Sequence, residues 1–367
     1  MYMYSIKNST TFLVLALLVS ACNMMNKTAN NGAGSIEELL VRTVKQQPMP
    51  QRVDKLAFGS CIHQDKALLA FPLIVAEKPD IFLFLGDNIY GDTRDMKILA
   101  AKYSKLGARP EFEELMKTCP LLATWDDHDY GENDAGREYP QKESSKRLFM
   151  AFWGDESDSP RHQHKGIYNV YNIGSSGHQL QIILLDLRTF RSPLLSNNNA
   201  KLYRNSYRPN EDNSATMLGD EQWAWLKKQL LEPADLRIIA SSTQFGATYN
   251  GYEAWANFPK EKEKMLALIK ETKAEGLFFL SGDTHWAELS KLETEGLYPI
   301  YDLTSSGINR DWPHVEKNDN RVGEACSRFN YGVIEIDWAN KAFTFRITDA
   351  YDKLQLEHEV KFSELNF

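Results

Sequence analysis

The sequence has no block of basic residues and little net positive charge anywhere along its 367 residues. Its 42 Lys and Arg are outnumbered by 50 Asp and Glu, for a formal net charge of −8, so we expect no specific nucleic-acid binding. It also lacks short-period repeats, which excludes solenoids and coiled coils. The composition is ordinary for a globular protein, with 43% hydrophobic and 25% charged residues.

Long hydrophobic runs are absent except for one at the N-terminus, Phe12–Val19. That run is far shorter than the ~20 residues that cross a bilayer as a helix. Lys7 precedes it and Ser20-Ala21-Cys22 follows, a pattern typical of an export signal. The site resembles the lipobox of bacterial lipoproteins, in which the cysteine is acylated. The sequence therefore predicts a signal peptide over 1–21 and an exported, membrane-anchored lipoprotein, periplasmic or outer-membrane facing; a simple secreted protein is the alternative.

Cysteine is scarce, and export changes what the few cysteines imply. After Cys22, which is predicted to carry lipid, only Cys61, Cys119 and Cys326 remain. An odd number of cysteines outside the cytoplasm leaves at least one thiol unpaired or bound to something else. A disulfide between Cys119 and Cys326 would leave Cys61 free for a ligand.

Downstream of a polar tether over 22–50, which holds one short helical stretch (Ile36–Val44), β-strand and helix patterns alternate. Strands are predicted at Lys55–Phe58, Ile81–Leu85, Leu121–Thr124, Gln179–Asp186, Arg237–Ala240, Leu277–Leu280, Ile300–Thr304, Tyr331–Asp337, Ala342–Thr348 and Leu356–Lys361. Helices are predicted at Lys66–Ala76, Arg109–Lys117, Ser144–Trp153, Asp220–Leu230 and Lys260–Thr272. We therefore expect one α/β domain over 51–367 with a β-rich C-terminal part, and a long surface loop over Ser196–Asn213 near the site.

Four of these strands end in residues that carry chemistry. The first is followed by Cys61, the second by Asp87, the third by Asp126-Asp127-His128, and the sixth by Asp283-Thr284-His285. Because open α/β sheets bind ligands at the carboxyl ends of their strands, these side chains are expected to converge.

A cluster of that composition requires cations. Several carboxylates within a few ångströms cannot all stay ionised at neutral pH without them. Carboxylate oxygens suit Ca²⁺, Mg²⁺ or Mn²⁺, whereas imidazole and thiolate suit a transition metal. The mixture indicates two or more ions of different type, an arrangement that can activate water and hold a phosphoryl group.

Five segments resemble the alkaline phosphatase D (PhoD-like) branch of the calcineurin-like metallophosphoesterases. They are FGSC (58–61), PDIFLFLGDNIYGD (79–92), TWDDHDYGEND (124–134), LLDLRTFR (184–191) and FLSGDTHWAEL (279–289). The resemblance implies a four-layer α/β/β/α sandwich and hydrolysis of phosphate esters. The Asp-x-His pair that opens most metallophosphoesterases is replaced here by Ser60-Cys61, which fits this branch alone.

The resemblance also implies roles for individual residues. Ligands of a ferric ion would be Cys61, Asp87, Tyr90 and His285, with Asp87 bridging, and ligands of one or two calcium ions would be Asp126 or Asp127, Asn133 and Asp283. His128 would give a hydrogen bond or a proton to the phosphoryl oxygen or the leaving group. Arg188 and Arg191 could hold phosphate or pair with carboxylates, and Trp125, Trp286 and Trp312 could line the pocket or pack in the core.

The leading hypothesis is a monomeric, metal-dependent phosphoester hydrolase that prefers diesters, with a hydroxide held between the metals as the nucleophile. A second hypothesis is a metal-free hydrolase that uses Cys61 as nucleophile and His63 or His128 as base. A third is a surface lipoprotein that binds calcium or phosphate without turnover.

Overall fold

The computed structural model describes residues 35–367, so the predicted signal peptide and Cys22 lie outside the described residues. It contains seven α-helices in that range: α1 (Ala70–Glu77), α2 (Met96–Gly107), α3 (Pro110–Thr118), α4 (Asp127–Tyr130), α5 (Lys142–Trp153), α6 (Gly219–Leu231) and α7 (Pro259–Thr272). None of the helices within these residues is both long and apolar enough to cross a membrane.

The strands form two large sheets and one small ribbon. They are β1 (Lys55–Gly59), β2 (Ile81–Leu85), β3 (Leu121–Thr124), β4 (Asn169–Ile173), β5 (Leu180–Leu184), β6 (Leu195–Ser196), β7 (Tyr207–Arg208), β8 (Leu236–Ser241), β9 (Leu277–Ser281), β10 (Ala287–Leu292), β11 (Ile300–Ser305), β12 (Arg321–Cys326), β13 (Asn330–Asp337), β14 (Ala342–Asp349) and β15 (Leu354–Lys361). The first sheet has the order β15-β14-β13-β1-β2-β3 and the second β12-β10-β11-β9-β8-β5-β4, while β6 and β7 pair with each other.

Each sheet has a parallel segment whose strands end on the same side. In the first sheet β1, β2 and β3 run parallel, and β13, β14 and β15 extend it as an antiparallel meander. In the second sheet β5, β8, β9 and β11 run parallel. The meander confirms the predicted β-rich C-terminal part.

Alternation of side chains along the central strands places one sheet between two apolar layers. On β1, Leu56 and Phe58 join the core that contains the second sheet, whereas Ala57 joins the core formed with α1, α2, α3 and α5. On β2, Leu83 joins the core that contains the second sheet, and Phe84 joins the core formed with the helices. Helices α6 and α7 pack on the second sheet, so the molecule is a four-layer α/β/β/α sandwich, as predicted.

Most predicted elements are confirmed, and the misses have identifiable causes. Strands β12 and β4 lie at the two opposite edges of the second sheet and contain several half-exposed or exposed residues, so neither carries a clear hydrophobic pattern. Helix α2 was missed although Met96, Leu99, Tyr103 and Leu106 recur at helical spacing. The stretch expected to be helical at the start forms only a short 3₁₀ turn, Ile36–Leu39.

Three cysteines lie in the described part of the chain, and all three are free thiols. Cys119 belongs to the core beneath the first sheet and Cys326 to the core that contains the second. The disulfide considered between them is therefore not formed.

The two sheets meet at the carboxyl ends of their parallel strands. Ser60, just after β1, pairs with Ser306, just after β11, and the Thr124 hydroxyl at the end of β3 donates to the Leu185 carbonyl at 2.6 Å. Gly282 follows β9 where a Cβ atom would lie only 2.5 Å from the Ser60 hydroxyl oxygen. This close approach brings the loops after four strands to one edge, where the predicted site residues lie.

Candidate metal centre

Backbone geometry directs the site residues toward one another. Four of them adopt left-handed backbone conformations with φ of 60° at Cys61, 50° at Asp87, 73° at Asp283 and 64° at His285. Such conformations cost of order 1–3 kcal/mol each outside glycine and persist where the surrounding structure enforces them. Their concentration in the loops after β1, β2 and β9 is typical of a functional site.

The four residues predicted to bind a ferric ion lie in contact. The Asp87 Oδ2 atom is 3.4 Å from Cys61 Sγ and 3.4 Å from the Tyr90 hydroxyl. The Tyr90 hydroxyl is also 2.9 Å from His285 Nε2. One ligand atom each from Cys61, Asp87 and His285 lies within 4.8 Å of the others, so a single ion could reach all three.

A carboxylate group adjoins this set and shares Asp87 with it. Ligand atoms of Asp87, Asp126, Asp127 and Asp283 lie within 4.8 Å of one another, and Asp87, Asp127 and His128 form an overlapping group. Asp127 thus belongs to both, and Asp87 connects the carboxylates to the thiol and imidazole.

A fourth group consists of Asp127, Asp134 and Glu253. Asp134 ends the TWDDHDYGEND segment and could have been recognised as a carboxylate next to Asn133, which lies exposed in the same cavity. Glu253 follows no strand and no recognised segment, so the sequence offered no signal for it. Both residues are additions to the predicted site.

Asp126 and Asp127 have different surroundings, and the difference indicates which of the two is the direct metal ligand. Asp126 Oδ1 accepts hydrogen bonds from Arg188 Nε at 2.6 Å and from the Ser242 hydroxyl at 2.5 Å. Asp127 accepts from two backbone N–H groups, those of His128 at 2.8 Å and Asp134 at 2.6 Å, and takes part in three of the four ligand groups. The geometry therefore favours Asp127 as the shared ligand and Asp126 as a carboxylate held by arginine.

Arg188 and Arg191 are fully buried and occupied by protein partners. Arg188 also donates to Glu253 Oε2 at 2.8 Å, and Arg191 Nε lies 3.0 Å from Glu253 Oε1. Neither lines the cavity at the site. Of the two roles considered from the sequence, these contacts support pairing with carboxylates, which compensates part of the buried negative charge.

The remaining negative charge is not compensated by protein groups. Burial, followed by the nearby thiol and carboxylates, raises the pKa of Asp87 well above its usual value. Burial and the neighbouring Asp126 and Asp127 raise that of Asp283 in the same way. Buried oxygens Asp87 Oδ1 and Asp126 Oδ2 have no hydrogen-bond partner in the described part of the chain. Orphaned carboxylate oxygens in such a cluster fit metal ions, which would restore ionisation.

His128 lies beside the carboxylates and is oriented by a residue the sequence did not single out. Its Nδ1 atom is 2.6 Å from Asp92 Oδ1, and its ring centroid is 4.2 Å from that of Tyr90. Burial lowers the pKa of His128, but Asp127 and Asp92 outweigh it, so the net shift is upward. A histidine whose pKa is raised and whose ring is fixed at one nitrogen suits proton donation from the other.

Buried Asp129 connects the two loops that carry the acidic residues. Its carboxylate accepts from the backbone N–H groups of Asp87 at 3.2 Å and Asp126 at 2.7 Å, and from Asn88 Nδ2 at 2.5 Å. It therefore sets the distance between the loops after β2 and β3, a positioning role.

A cavity of about 320 Å³ opens onto the ligand groups. Trp286 and Trp312 line it, whereas Trp125 is buried and donates to Asp186. The predicted loop over Ser196–Asn213 does reach the site, because the Tyr207 hydroxyl on β7 donates to Asp134. The cavity is large enough for a phosphoryl group and part of an attached alcohol.

The geometry argues against Cys61 as a nucleophile. The thiol is fully buried, and burial raises its pKa to about 11, so it would be protonated at neutral pH without a cation. Its sulfur contacts Asp87, the Ser306 hydroxyl at 3.2 Å and the Asp283 carbonyl oxygen at 3.7 Å, and none of these groups is a histidine base.

Comparison with solved structures identifies the fold. A structure of PhoD matches with a TM-score of 0.69 at 17% identity, over 87% of this chain and 72% of that chain. A dimetal phosphatase from Danio rerio matches with a TM-score of 0.52 at 12% identity, over 85% of this chain and 99% of that chain. The Plasmodium inner membrane complex anchor GAP50 matches with a TM-score of 0.55 at 13% identity, over 84% and 89%. At these identities the matches show the fold alone, and a fold by itself does not specify an activity.

Comparison of sequences identifies the family. Alkaline phosphatase D of Bacillus subtilis (strain 168) is 24% identical over 294 residues, which are 69% of this chain and 48% of the relative. The chain thus spans about half the length of that curated relative. The model of the PhoD-like phosphatase family matches residues 56–325, which include the four strand ends that build the metal centre. The chain therefore belongs to the PhoD-like phosphatase family.

Proposed function

We propose that this protein is a metal-dependent phosphoester hydrolase with a preference for diesters. The observation that carries the proposal is the convergence of buried Asp87 and Asp127 and half-buried Asp283 with Cys61 and His285 beside an open cavity. Thiol, phenol and imidazole around Asp87 fit Fe³⁺, and the all-carboxylate groups fit Ca²⁺. When bound, such ions would supply Lewis acidity and would lower the pKa of water, so that a hydroxide could act as the nucleophile.

The protein groups around the metal centre have separable tasks. Asp87 is shared between the transition-metal and carboxylate groups, and Asp127 between the carboxylate groups. His128 lies at the cavity and donates a proton to the departing alcohol oxygen, while Asp92 holds its ring. The phosphoester substrate enters from solvent, and the chain acts as a monomer.

Metal removal provides the direct test. Protein beginning after Cys22 and purified without chelators should hydrolyse bis-(p-nitrophenyl) phosphate faster than p-nitrophenyl phosphate. EDTA should abolish turnover, and added calcium, with iron where needed, should restore it. Absorbance at the p-nitrophenolate band measures both rates.

Two results would distinguish the alternatives. Calcium binding by calorimetry without turnover of either ester in fully metallated protein would favour the non-catalytic calcium- or phosphate-binding protein. Turnover that survives EDTA and disappears in Cys61→Ser would favour the metal-free cysteine hydrolase.

We expect His128→Gln to lower kcat by about 10²–10⁴-fold, the usual contribution of a general acid or base. Because phenolate is a stronger base than p-nitrophenolate, its departure depends more on the proton. The loss should therefore be larger for diphenyl phosphate than for bis-(p-nitrophenyl) phosphate. The exposed Asp158, changed to Asn, is a matched control. Equal losses on the two esters would contradict proton donation and indicate a role in metal binding.

The N-terminal signal adds a proposal about location. Attachment of a diacylglyceryl group to the Cys22 thiol through a thioether, with cleavage before Cys22, would tether the domain to a membrane outside the cytoplasm. Mass spectrometry of the mature N-terminus from a bacterial host checks this: a diacylglyceryl mass on Cys22 is expected, and an unmodified cysteine would contradict it.

A further inference from the structure

A short segment that the proposed chemistry does not use lies at the edge of the cavity and contributes Trp312 to its lining. We call residues 306–312, directly after β11, the rim segment. Its start is tied to the loop after β1: the Ile308 N–H donates to the Ser60 carbonyl at 3.1 Å, and the buried Asn309 side chain accepts from the His63 N–H at 2.6 Å and donates to the His63 carbonyl at 3.0 Å. The segment is therefore held in a defined position beside the metal centre.

Arg310 on the rim segment is a cation without a protein counter-charge. Its guanidinium lies over the Tyr90 ring, 4.8 Å from the centroid, and Tyr90 in turn contacts Asp87 and His285. Among residues 35–367, no carboxylate forms an ion pair with Arg310, whereas Arg188 pairs with two. Arg310 does not line the cavity itself, but unlike the fully buried Arg188 and Arg191 it is partly exposed. An arginine held over an aromatic face in this way keeps its fork of N–H donors available for an anion.

Trp312 extends from the same segment and leaves much of its indole in solvent. It is 40% exposed, although its backbone N–H is anchored to the His285 carbonyl at 3.1 Å. The side chain lines the cavity together with Trp286, Tyr207 and Tyr252. A large exposed aromatic surface at the mouth of a polar site is typical of a ligand contact. Stacking of a flat apolar group on the indole would remove this surface from water and so favour binding.

We propose that the rim segment is the substrate-recognition element of this site: Arg310 binds an anionic oxygen of the phosphoester, and Trp312 stacks on a flat aromatic group carried by it. The preferred substrate class is then an aryl-substituted, or similarly planar, phosphodiester. This inference rests on the proposed function. It adds a selectivity for the ester substituent that remains on phosphorus after the leaving group has departed.

Two diesters with one leaving group isolate the contribution of Trp312. Phenyl p-nitrophenyl phosphate and methyl p-nitrophenyl phosphate both release p-nitrophenolate and differ only in the retained substituent. Wild type should show the higher kcat/KM for the phenyl ester, and Trp312→Ala should reduce the phenyl-to-methyl ratio by about 5- to 10-fold, as expected for loss of an aromatic contact. Tyr351→Ala removes an aromatic side chain that is 73% exposed and does not line this cavity, and should leave the ratio unchanged.

Arg310 should act on both esters alike. Arg310→Gln is expected to lower kcat/KM for the phenyl and methyl diesters by a similar factor of about tenfold or more, the usual effect of losing a charged hydrogen bond. Arg310→Lys should recover part of the loss because it keeps the charge. Arg147→Gln, at a site 58% exposed, is the matched control. An unchanged rate in Arg310→Gln would overturn the anion-binding role.

A binding measurement separates this inference from the proposed function. Calorimetry with phenylphosphonate and methylphosphonate on metallated protein needs no turnover, and wild type should bind the phenyl compound more tightly, an advantage lost in Trp312→Ala. Turnover with a ratio that Trp312→Ala leaves intact would overturn the rim inference alone. The phenyl preference without turnover would support the rim segment and contradict hydrolysis. Equal binding of both phosphonates would overturn the stacking role.

Discussion

Asp283→Asn is expected to lower turnover by more than about 100-fold, because even residues behind metal ligands change metal affinity or activity by about 10–100-fold. The same substitution should stabilise the metal-free protein at pH 8 by roughly 1–3 kcal/mol, since two like charges about 5 Å apart in protein repel by about 3 kcal/mol. The reason is local: the half-buried Asp283 lies next to Asp87, Asp126 and Asp127, and its pKa is raised well above the usual value. The site is thus arranged for cations at the expense of the metal-free fold.

Urea unfolding in EDTA measures the stability change, and diester hydrolysis in calcium measures the activity. The sign is clear: a carboxyl whose folded pKa is raised destabilises the protein as pH rises above the unfolded pKa, and asparagine removes that loss. Asp158→Asn, on the exposed surface, should change neither quantity. A less stable metal-free Asp283→Asn protein would contradict the repulsion argument, and full activity would contradict ligation.

Arg188→Leu should cost about 3–5 kcal/mol in the free energy of unfolding, the usual effect of removing one partner of a buried ion pair. Arg188 is fully buried and is held between Asp126 and Glu253. Without it, two buried carboxylates lose their cation, and the loop after β3 loses its anchor to the loop that carries Glu253.

Chemical denaturation compares Arg188→Leu with Arg147→Leu, a site that is 58% exposed and should change stability by less than about 0.5 kcal/mol. The double variant Arg188→Leu/Glu253→Leu should recover part of the loss, because it removes one of the stranded charges. If Arg188→Leu is as stable as wild type, the ion pairs of Arg188 with Asp126 and Glu253 do not stabilise the fold. That result would favour the alternative role of Arg188, binding of phosphate.

The strand ends were predictable because their signal is local. A largely buried strand followed, after one intervening residue, by Cys61, Asp87 or Asp283 indicates both the strand and the position of a ligand residue. The parallel strands β2 and β3 were predicted at their observed bounds for the same reason: every residue in them is buried.

Other site residues were beyond reach because their role depends on the fold. Glu253 follows a loop after β8, in a stretch with no motif, and joins Asp127 and Asp134 only when both sheets are in place. Asp92 looks like a turn residue in sequence and proves to hold His128. Local patterns do not record which distant loops pack together.

By itself, the sequence determined the α/β class, the four strand ends that carry ligand residues and the need for cations, since these follow from hydrophobic periodicity and from residue chemistry at fixed spacing. Only the tertiary structure decided how each polar group is used. Arg188 and Arg191 were equally suited to phosphate or carboxylate in sequence, and full burial beside Glu253 assigns them to carboxylates. Arg310 drew no attention in sequence, and only the structure places it over Tyr90 without an ion pair among the described residues. Charge and residue type are local properties, whereas burial and partnership arise when the two sheets meet.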